Sequence, residues 1–128
     1  MELHHIGYVV REIDPATKRF PGLRLAARLV DPLQNAELAL FECGGVFLEF
    51  IKPLGEGAFT WQFLNVVGGG YHHLCFAVEN LEEAQRYMHE GRLTKIRGPM
   101  PAVLFGGKLV LFAMNRNKEI IEFLISGS

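Results

Sequence analysis

The feature that most constrains this chain is an internal repeat. Residues 3–10 read LHHIGYVV and residues 71–78 read YHHLCFAV, an offset of 68 positions. Residues 48–50 (LEF) and 121–123 (IEF) also match, at an offset of 73 positions. Self-similarity of this kind indicates two copies of one structural unit. The second copy therefore has five more residues than the first between its two matching segments.

The first half is predicted to fold as a strand, a short helix and three further strands. Asp14 followed by Pro15 is a helix-start signal, because an Asp side chain caps free amides and Pro suits the first helical position. Pro21-Gly22 ends this helix, and Gly44-Gly45 indicates a tight hairpin. Runs rich in apolar and β-branched residues predict strands at residues 2–10, 25–31, 36–43 and 46–52.

The second half repeats this order with a longer helix. Asn80 and Glu83 form a capping-box pattern, and Gly91 ends the helix. One face of the helix is apolar, as packing on a sheet requires; it is formed by Leu81, Ala84, Tyr87 and Met88. Strands are predicted at residues 71–78, 93–97, 107–114 and 118–125.

These patterns predict an α+β fold in one domain made of two βαβββ modules. The modules are expected to be related by a pseudo-twofold axis. Module 1 is predicted at about residues 2–53 and module 2 at about residues 71–126. The linker, residues 54–70, is expected to contain a short helix near residues 59–65.

Composition narrows the classes of function. Hydrophobic residues make up 49% of the chain, the net charge is −1, and Lys and Arg do not gather in blocks. That balance gives no electrostatic basis for binding nucleic acid or an anionic membrane, and no apolar run approaches the length of a membrane span. We therefore expect a cytoplasmic protein with a small-molecule partner, in which Cys43 and Cys75 are reduced, buried thiols.

Two carboxylates lie in the middle of apolar strands. Alternation along a strand places His5 on the face opposite His4, and it places Glu49 and Glu122 among apolar neighbours. An unpaired, ionised carboxylate would be costly there. If the modules pack about a pseudo-twofold axis, their equivalent His and Glu positions converge. Two neutral imidazoles and two carboxylates would then balance the charge of one divalent ion.

Four segments in order resemble the vicinal oxygen chelate superfamily, which includes glyoxalase I, methylmalonyl-CoA epimerase, extradiol dioxygenases and bleomycin- or fosfomycin-resistance proteins. The similarity is greatest to the epimerase-like members. It covers nearly the whole chain, and it rests on residues 4–7 (HHIG), 49–55 (EFIKPLG), 70–75 (GYHHLC) and 120–123 (IIEF).

The resemblance implies a glyoxalase-like fold, in which the two modules form a curved mixed sheet around a central metal site. In this superfamily, the ion is bound by the positions that match His5, Glu49, His73 and Glu122. This match also indicates that the second histidine of each HH pair is the ligand. A His₂Glu₂ set suits Zn²⁺, Ni²⁺, Co²⁺ or Mn²⁺. Members usually pair as homodimers, and we expect the same here by analogy.

The reaction implied is that of an epimerase, an isomerase or a glyoxalase-like lyase. It would remove a proton next to a carbonyl, through a metal-stabilised enediolate, in an acyl-CoA or 2-oxo substrate. Glu122 is the first candidate base and Glu49 the second. Epimerases of this type carry another Glu in the region matching residues 31–35, where this chain has none. Gln34 is expected to donate a hydrogen bond to the substrate instead. Asp31 is a weaker acid–base candidate, because it lies in a predicted turn.

Two other functions stay open from the sequence. One is an Fe(II) extradiol-type dioxygenase, which needs two His, one Glu and open metal positions. The other is a binding or resistance protein without turnover, whose groove Phe59, Trp61 and Phe63 could line. Scattered cations could meet a phosphate-bearing carrier such as coenzyme A; they are Lys52, Lys95, Arg97, Lys108, Arg116 and Lys118.

Overall fold

The structure is a computed structural model that describes residues 1–127. The order βαβββ occurs twice, as predicted, with one extra helix between the copies. The elements are β1 (Glu2–Val9), α1 (Ile13–Thr17), β2 (Arg24–Asp31), β3 (Ala36–Cys43), β4 (Val46–Pro53), α2 (Trp61–Val67), β5 (Gly70–Val78), α3 (Leu81–Gly91), β6 (Thr94–Ala102), a 3₁₀ turn (Val103–Phe105), β7 (Lys108–Met114) and β8 (Ile120–Ile125).

The chain separates into two compact units. The first unit is residues 5–72, and the second is residues 1–4 with the described residues from 73 onward. The strands of the first module follow the order β2-β3-β4-β1, in which β1 and β4 are parallel and the other neighbours antiparallel. The second module has the order β5-β8-β7-β6, with β5 and β8 parallel. The two modules therefore share one topology, α+β as predicted.

In the first unit, α1 covers one face of its strands. Its buried residues Ile13 and Ala16 pack with Phe41 and Phe50, and Phe50 is fully buried. Because side chains alternate along β4, Glu49 lies on the opposite face from Phe50. The helix core and the carboxylate thus occupy opposite sides of the same strand.

The second unit is built in the same way around α3. Ala84 of this helix packs with Leu111 and Phe123, all at most 2% exposed. Phe123 faces the helix, so Glu122 lies on the other face of β8. Each half of the chain therefore keeps its catalytic candidate away from its helix.

The two predicted helix starts have different outcomes. The Asn80 side chain accepts a hydrogen bond from the Glu83 backbone N–H, so the predicted cap of α3 is confirmed. The prediction that Asp14 caps α1 is wrong, because the helix begins at Ile13 and no side-chain cap is formed. The Asp14 carboxylate instead accepts a hydrogen bond from Arg28 at 2.6 Å, and this bond is the main reason that the pKa of Arg28 is raised.

Other features depart from the sequence predictions or extend them. Cys75 is buried as predicted, but Cys43 is exposed, because it ends β3 next to the hairpin turn. The strand predicted at residues 93–97 runs from Thr94 to Ala102 and contains register irregularities. It is the last strand in the sheet order, a position that tolerates its two prolines. Within residues 1–127, none of the helices combines the length and apolar character needed to cross a bilayer.

Candidate functional site

The first unit places His5 and Glu49 on neighbouring parallel strands. Glu49 pairs in register with Gly7, two residues after His5, so both side chains lie on one face. His5 Nε2 lies 3.6 Å from Glu49 Oε1, and the residues are 0% and 5% exposed. A buried imidazole therefore faces a buried carboxylate in this unit.

The second unit repeats this arrangement at the level of strand register. Glu122 pairs with Cys75, two residues after His73. His73 Nε2 lies 3.0 Å from Glu122 Oε1, and the residues are 1% and 3% exposed. The repeat seen in the sequence is therefore also a repeat of backbone pairing, because each Glu stands opposite the position two residues beyond its His.

Both pairs have spacings that suit metal ligands. Two donor atoms that each lie about 2.0–2.2 Å from one ion are about 2.8–3.6 Å apart for octahedral to tetrahedral angles. The two observed separations, 3.0 Å and 3.6 Å, fall within this range. A direct N–H···O hydrogen bond would be about 2.7–3.2 Å, which the His5–Glu49 pair exceeds. Each unit therefore contributes one imidazole and one carboxylate with the spacing of metal ligands, and these are the four donors that the sequence predicts.

The preceding histidines of the two HH segments have aromatic surroundings. His4 meets the ring of Phe105 edge to face at 5.0 Å between centroids, and His72 meets Phe63 in the same way at 4.9 Å. Alternation places both on the strand faces opposite His5 and His73, as predicted.

Phe112 is a residue of this site that the sequence analysis did not identify. It pairs in register with Glu122, and its ring lies edge to face against His73 at 5.4 Å between centroids. The ring is buried, so it limits the orientations of the imidazole. Alternation along β7 together with the pairing of β7 and β8 would have found it.

Asp31 and Gln34 lie together, but away from Glu49. The Asp31 carboxylate is buried and accepts hydrogen bonds from the backbone N–H groups of Leu33 and Gln34, while the Gln34 side-chain amide donates to it at 3.0 Å. The register pairs Ala36 with Pro53, four residues or about 13 Å along β4 from Glu49. These contacts are those of the predicted turn, and they offer no support for Gln34 as a substrate ligand.

The aromatic residues of the linker are engaged inside their own unit. Phe59 and Phe63 both place their rings against His72, at 5.7 Å and 4.9 Å between centroids. Trp61 begins α2 and is half-buried. The contacts of the two phenylalanines are therefore packing contacts.

Comparison with known proteins places this geometry in a family. Residues 4–112 match the Glyoxalase/Bleomycin resistance protein/Dioxygenase superfamily. Among curated proteins, the chain is similar to an ethylmalonyl-CoA/methylmalonyl-CoA epimerase of Cereibacter sphaeroides. The two are 26% identical over 114 residues, which cover 86% of this chain and 85% of the relative.

Solved structures show the same relationship in three dimensions. A hypothetical protein from Bacillus halodurans has 28% identity and a TM-score of 0.82, covering 96% of this chain and 92% of that one. The methylmalonyl-CoA epimerase from Mycobacterium tuberculosis has 19% identity and a TM-score of 0.81, covering 96% and 86%. The predicted glyoxalase-like fold is confirmed. The chain belongs to the Glyoxalase/Bleomycin resistance protein/Dioxygenase superfamily.

Proposed function

We propose that this chain is a metal-dependent epimerase that inverts the α-carbon of an acyl-coenzyme A by removing and returning a proton. The observation that carries the proposal is the pair of buried His–Glu contacts in identical strand register, His5 with Glu49 and His73 with Glu122. The name of the Cereibacter sphaeroides relative, an ethylmalonyl-CoA/methylmalonyl-CoA epimerase, supports an acyl-CoA substrate.

In this proposal the two pairs hold one divalent ion between them. Each pair has the spacing of neighbouring ligands, and burial of two carboxylates without a compensating positive charge would be costly. Neutral imidazoles and two carboxylates balance a charge of +2, and N and O donors suit Zn²⁺, Ni²⁺, Co²⁺ or Mn²⁺. When bound, the ion would supply a Lewis acid that polarises the substrate carbonyl.

Glu122 is the first candidate for the base. Its carboxylate is 3% exposed, so little water competes for a proton transferred to it. Removal of the α-proton breaks the C–H bond, leaves the electron pair in the enolate and protonates the carboxylate. Inversion then needs a proton returned on the opposite face of that carbon. Glu49, which has the equivalent position in the other module, is the candidate for that step.

The turn at residues 31–35 supports this assignment by elimination. Asp31 is the acidic residue of this turn, and its carboxylate already accepts three hydrogen bonds. Gln34 carries no ionisable group and donates to Asp31. The hydrogen bonds of Asp31 are satisfied within this turn, so we favour the two carboxylates of the proposed ligand set as the acid–base groups.

The other functions are less well supported. A dioxygenase site of the extradiol kind uses one carboxylate and leaves metal positions open for catechol and O₂; here Glu49 repeats the register of Glu122 and would fill one of them. Oxygen uptake in the presence of catechols would support the dioxygenase instead. Tight binding of a small molecule without turnover would support the binding protein. The homodimer and the cytoplasmic location stay predictions.

The test is incorporation of solvent deuterium. Protein loaded with each of the four metals is incubated in D₂O with methylmalonyl-CoA, and mass spectrometry should show one deuterium at the α-carbon. With the single epimer whose proton Glu122 removes, Glu122→Gln should lose this exchange, because an amide cannot take the proton. Glu90→Gln is a matched control at an exposed position on α3 and should retain it. Absence of label from every acyl thioester and 2-oxo substrate would refute the proposal.

A further inference from the structure

A basic cleft of about 560 Å³ lies at the end of β6 and β7 in the second unit. Three of its seven lining residues are cations and none is acidic; the lining is Arg92, Thr94, Ile96, Met114, Asn115, Arg116 and Lys118. Within residues 1–127, none of the three cations forms a side-chain ion pair. Glu119, in the same turn, accepts a hydrogen bond from Asn115 instead. The cleft therefore presents three charges without an internal counter-ion.

The backbone adds an independent observation. Among the described residues other than glycine, positive φ values occur at Asn35, Arg92 and Lys118, and the last two line this cleft. Asn tolerates that conformation well, whereas Arg and Lys adopt it at a steric cost. Arg92 adopts this conformation as the C-cap of α3 and Lys118 adopts it in the turn between β7 and β8, so the backbone fixes where both cations lie in one cleft.

The cleft also lies near Glu122 on the same face of the sheet. Met114 pairs with both Thr94 and Ile120, and Glu122 pairs with Phe112, two residues from Met114. Paired residues and alternate residues share a face, so Thr94, Met114 and Glu122 do so. Two residues along the strand and two strands across separate the Cα atoms of Glu122 and Thr94 by about 12 Å.

We propose that this cleft binds the phosphate-bearing end of a coenzyme A thioester. The inference rests on the proposed function, because it assigns the anchoring of that substrate. The pyrophosphate and the ribose phosphate carry several negative charges. One guanidinium group can donate two parallel hydrogen bonds to the oxygens of a phosphate. Ile96 and Met114 offer apolar contact to the adenine ring. The flexible pantetheine arm is long enough to join this cleft to a thioester at Glu122.

A second cleft of about 450 Å³ in the first unit is a weaker candidate. It is lined by Arg11 and Arg19, but also by Glu12, whose carboxylate pairs with Lys52 at 3.0 Å. Its charge is therefore partly neutralised, and its glycines, Gly68 to Gly70, supply no side chain. This cleft provides the control for the experiment.

The test is titration calorimetry of metal-loaded protein with coenzyme A, which has no acyl group and does not turn over. The double variant Arg116→Ala/Lys118→Ala should weaken coenzyme A binding by roughly tenfold or more, since each hydrogen bond to a charged group contributes about that factor. The control Arg11→Ala/Arg19→Ala removes the same charge from the other cleft. It should change the affinity little.

Two further measurements separate the outcomes. Lys118→Gly removes one cation but suits the positive φ of this position, so the variant should fold. Its affinity for coenzyme A should nevertheless be lower than that of the parent. Equal affinity in parent and double variant, an affinity lost in the control alone, or no binding by the parent would each overturn the cleft assignment. Deuterium exchange tests the proposed function separately. If no label is incorporated but coenzyme A binding still depends on Arg116 and Lys118, the epimerase activity is refuted while the assignment of the cleft as a coenzyme A site stands.

Discussion

Removal of either histidine of the proposed ligand set should abolish metal binding by the whole chain. An ion present at 100 times its Kd stabilises the folded protein by about 2.7 kcal/mol. Unfolding of 128 residues has an entropy of about 0.27 kcal/mol per kelvin, so the ion should raise Tm by about 10 °C. Differential scanning calorimetry of metal-loaded and chelator-treated protein measures this shift directly.

His5→Ala and His73→Ala should both lose most of the shift, although the histidines belong to different units. Elemental analysis should find one ion per parent chain and close to none in either variant. The control is His89→Ala, at an exposed position on α3, which should keep ion and shift. A parent with two ions, and variants that each retain one, would refute the reasoning, because each His–Glu pair would then hold its own ion.

Four further predictions concern the stability of the fold, the turn at residues 31–35 and the ion pair of Arg28. Phe123→Ala should cost about 3–5 kcal/mol in urea unfolding, because the ring is 1% exposed; a cost below about 1 kcal/mol would contradict the packing described. Asp31→Ala should lower the free energy of unfolding by about 1–3 kcal/mol, because it leaves the donors of the turn without their acceptor. Gln34→Ala should leave the deuterium exchange rate unchanged; a large fall in this rate would show that Gln34 takes part in the reaction. The pKa of Arg28 is raised, mainly by its hydrogen bond to Asp14. The stabilisation that the charged guanidinium gives the fold is therefore complete at any pH below the ordinary pKa of arginine. It is lost only as the pH rises through the raised pKa of the folded protein. Because the pair is largely exposed, Arg28→Gln should cost less than about 1 kcal/mol, equally at about pH 6 and about pH 9; a cost that changes between these pH values would contradict this.

The sequence predicted the fold well because repetition and alternation act together. Each HH segment places one histidine on either face of a strand, and the two Glu residues fall in apolar runs, but the choice of His5 and His73 within those segments rested partly on the family resemblance. The prediction at Asp14 failed because Arg28, from a neighbouring strand, binds its carboxylate instead. Local propensity does not record a partner 14 residues away.

The basic cleft shows a different limit. Arg116 and Lys118 were among the scattered cations that could meet a phosphate-bearing carrier, whereas Arg92 was not. Arg92 caps the end of α3, and strand pairing brings Thr94 beside Met114. The cleft forms only because β6 and β7 are antiparallel neighbours, and no linear pattern joins these residues before the register is known.

The parallel pairing within each module separates what must stay fixed from what can change. His and Glu come from adjacent strands, but the chain between them is a long crossover that includes a helix and two strands. The second module has five more residues in this interval, with a helix of 11 residues in place of five, and its His–Glu register is unchanged. Insertions in the crossovers can therefore remodel a substrate cavity without moving the paired residues. A new specificity could arise on this chain by lengthening a loop, while the chemical groups stay where they are.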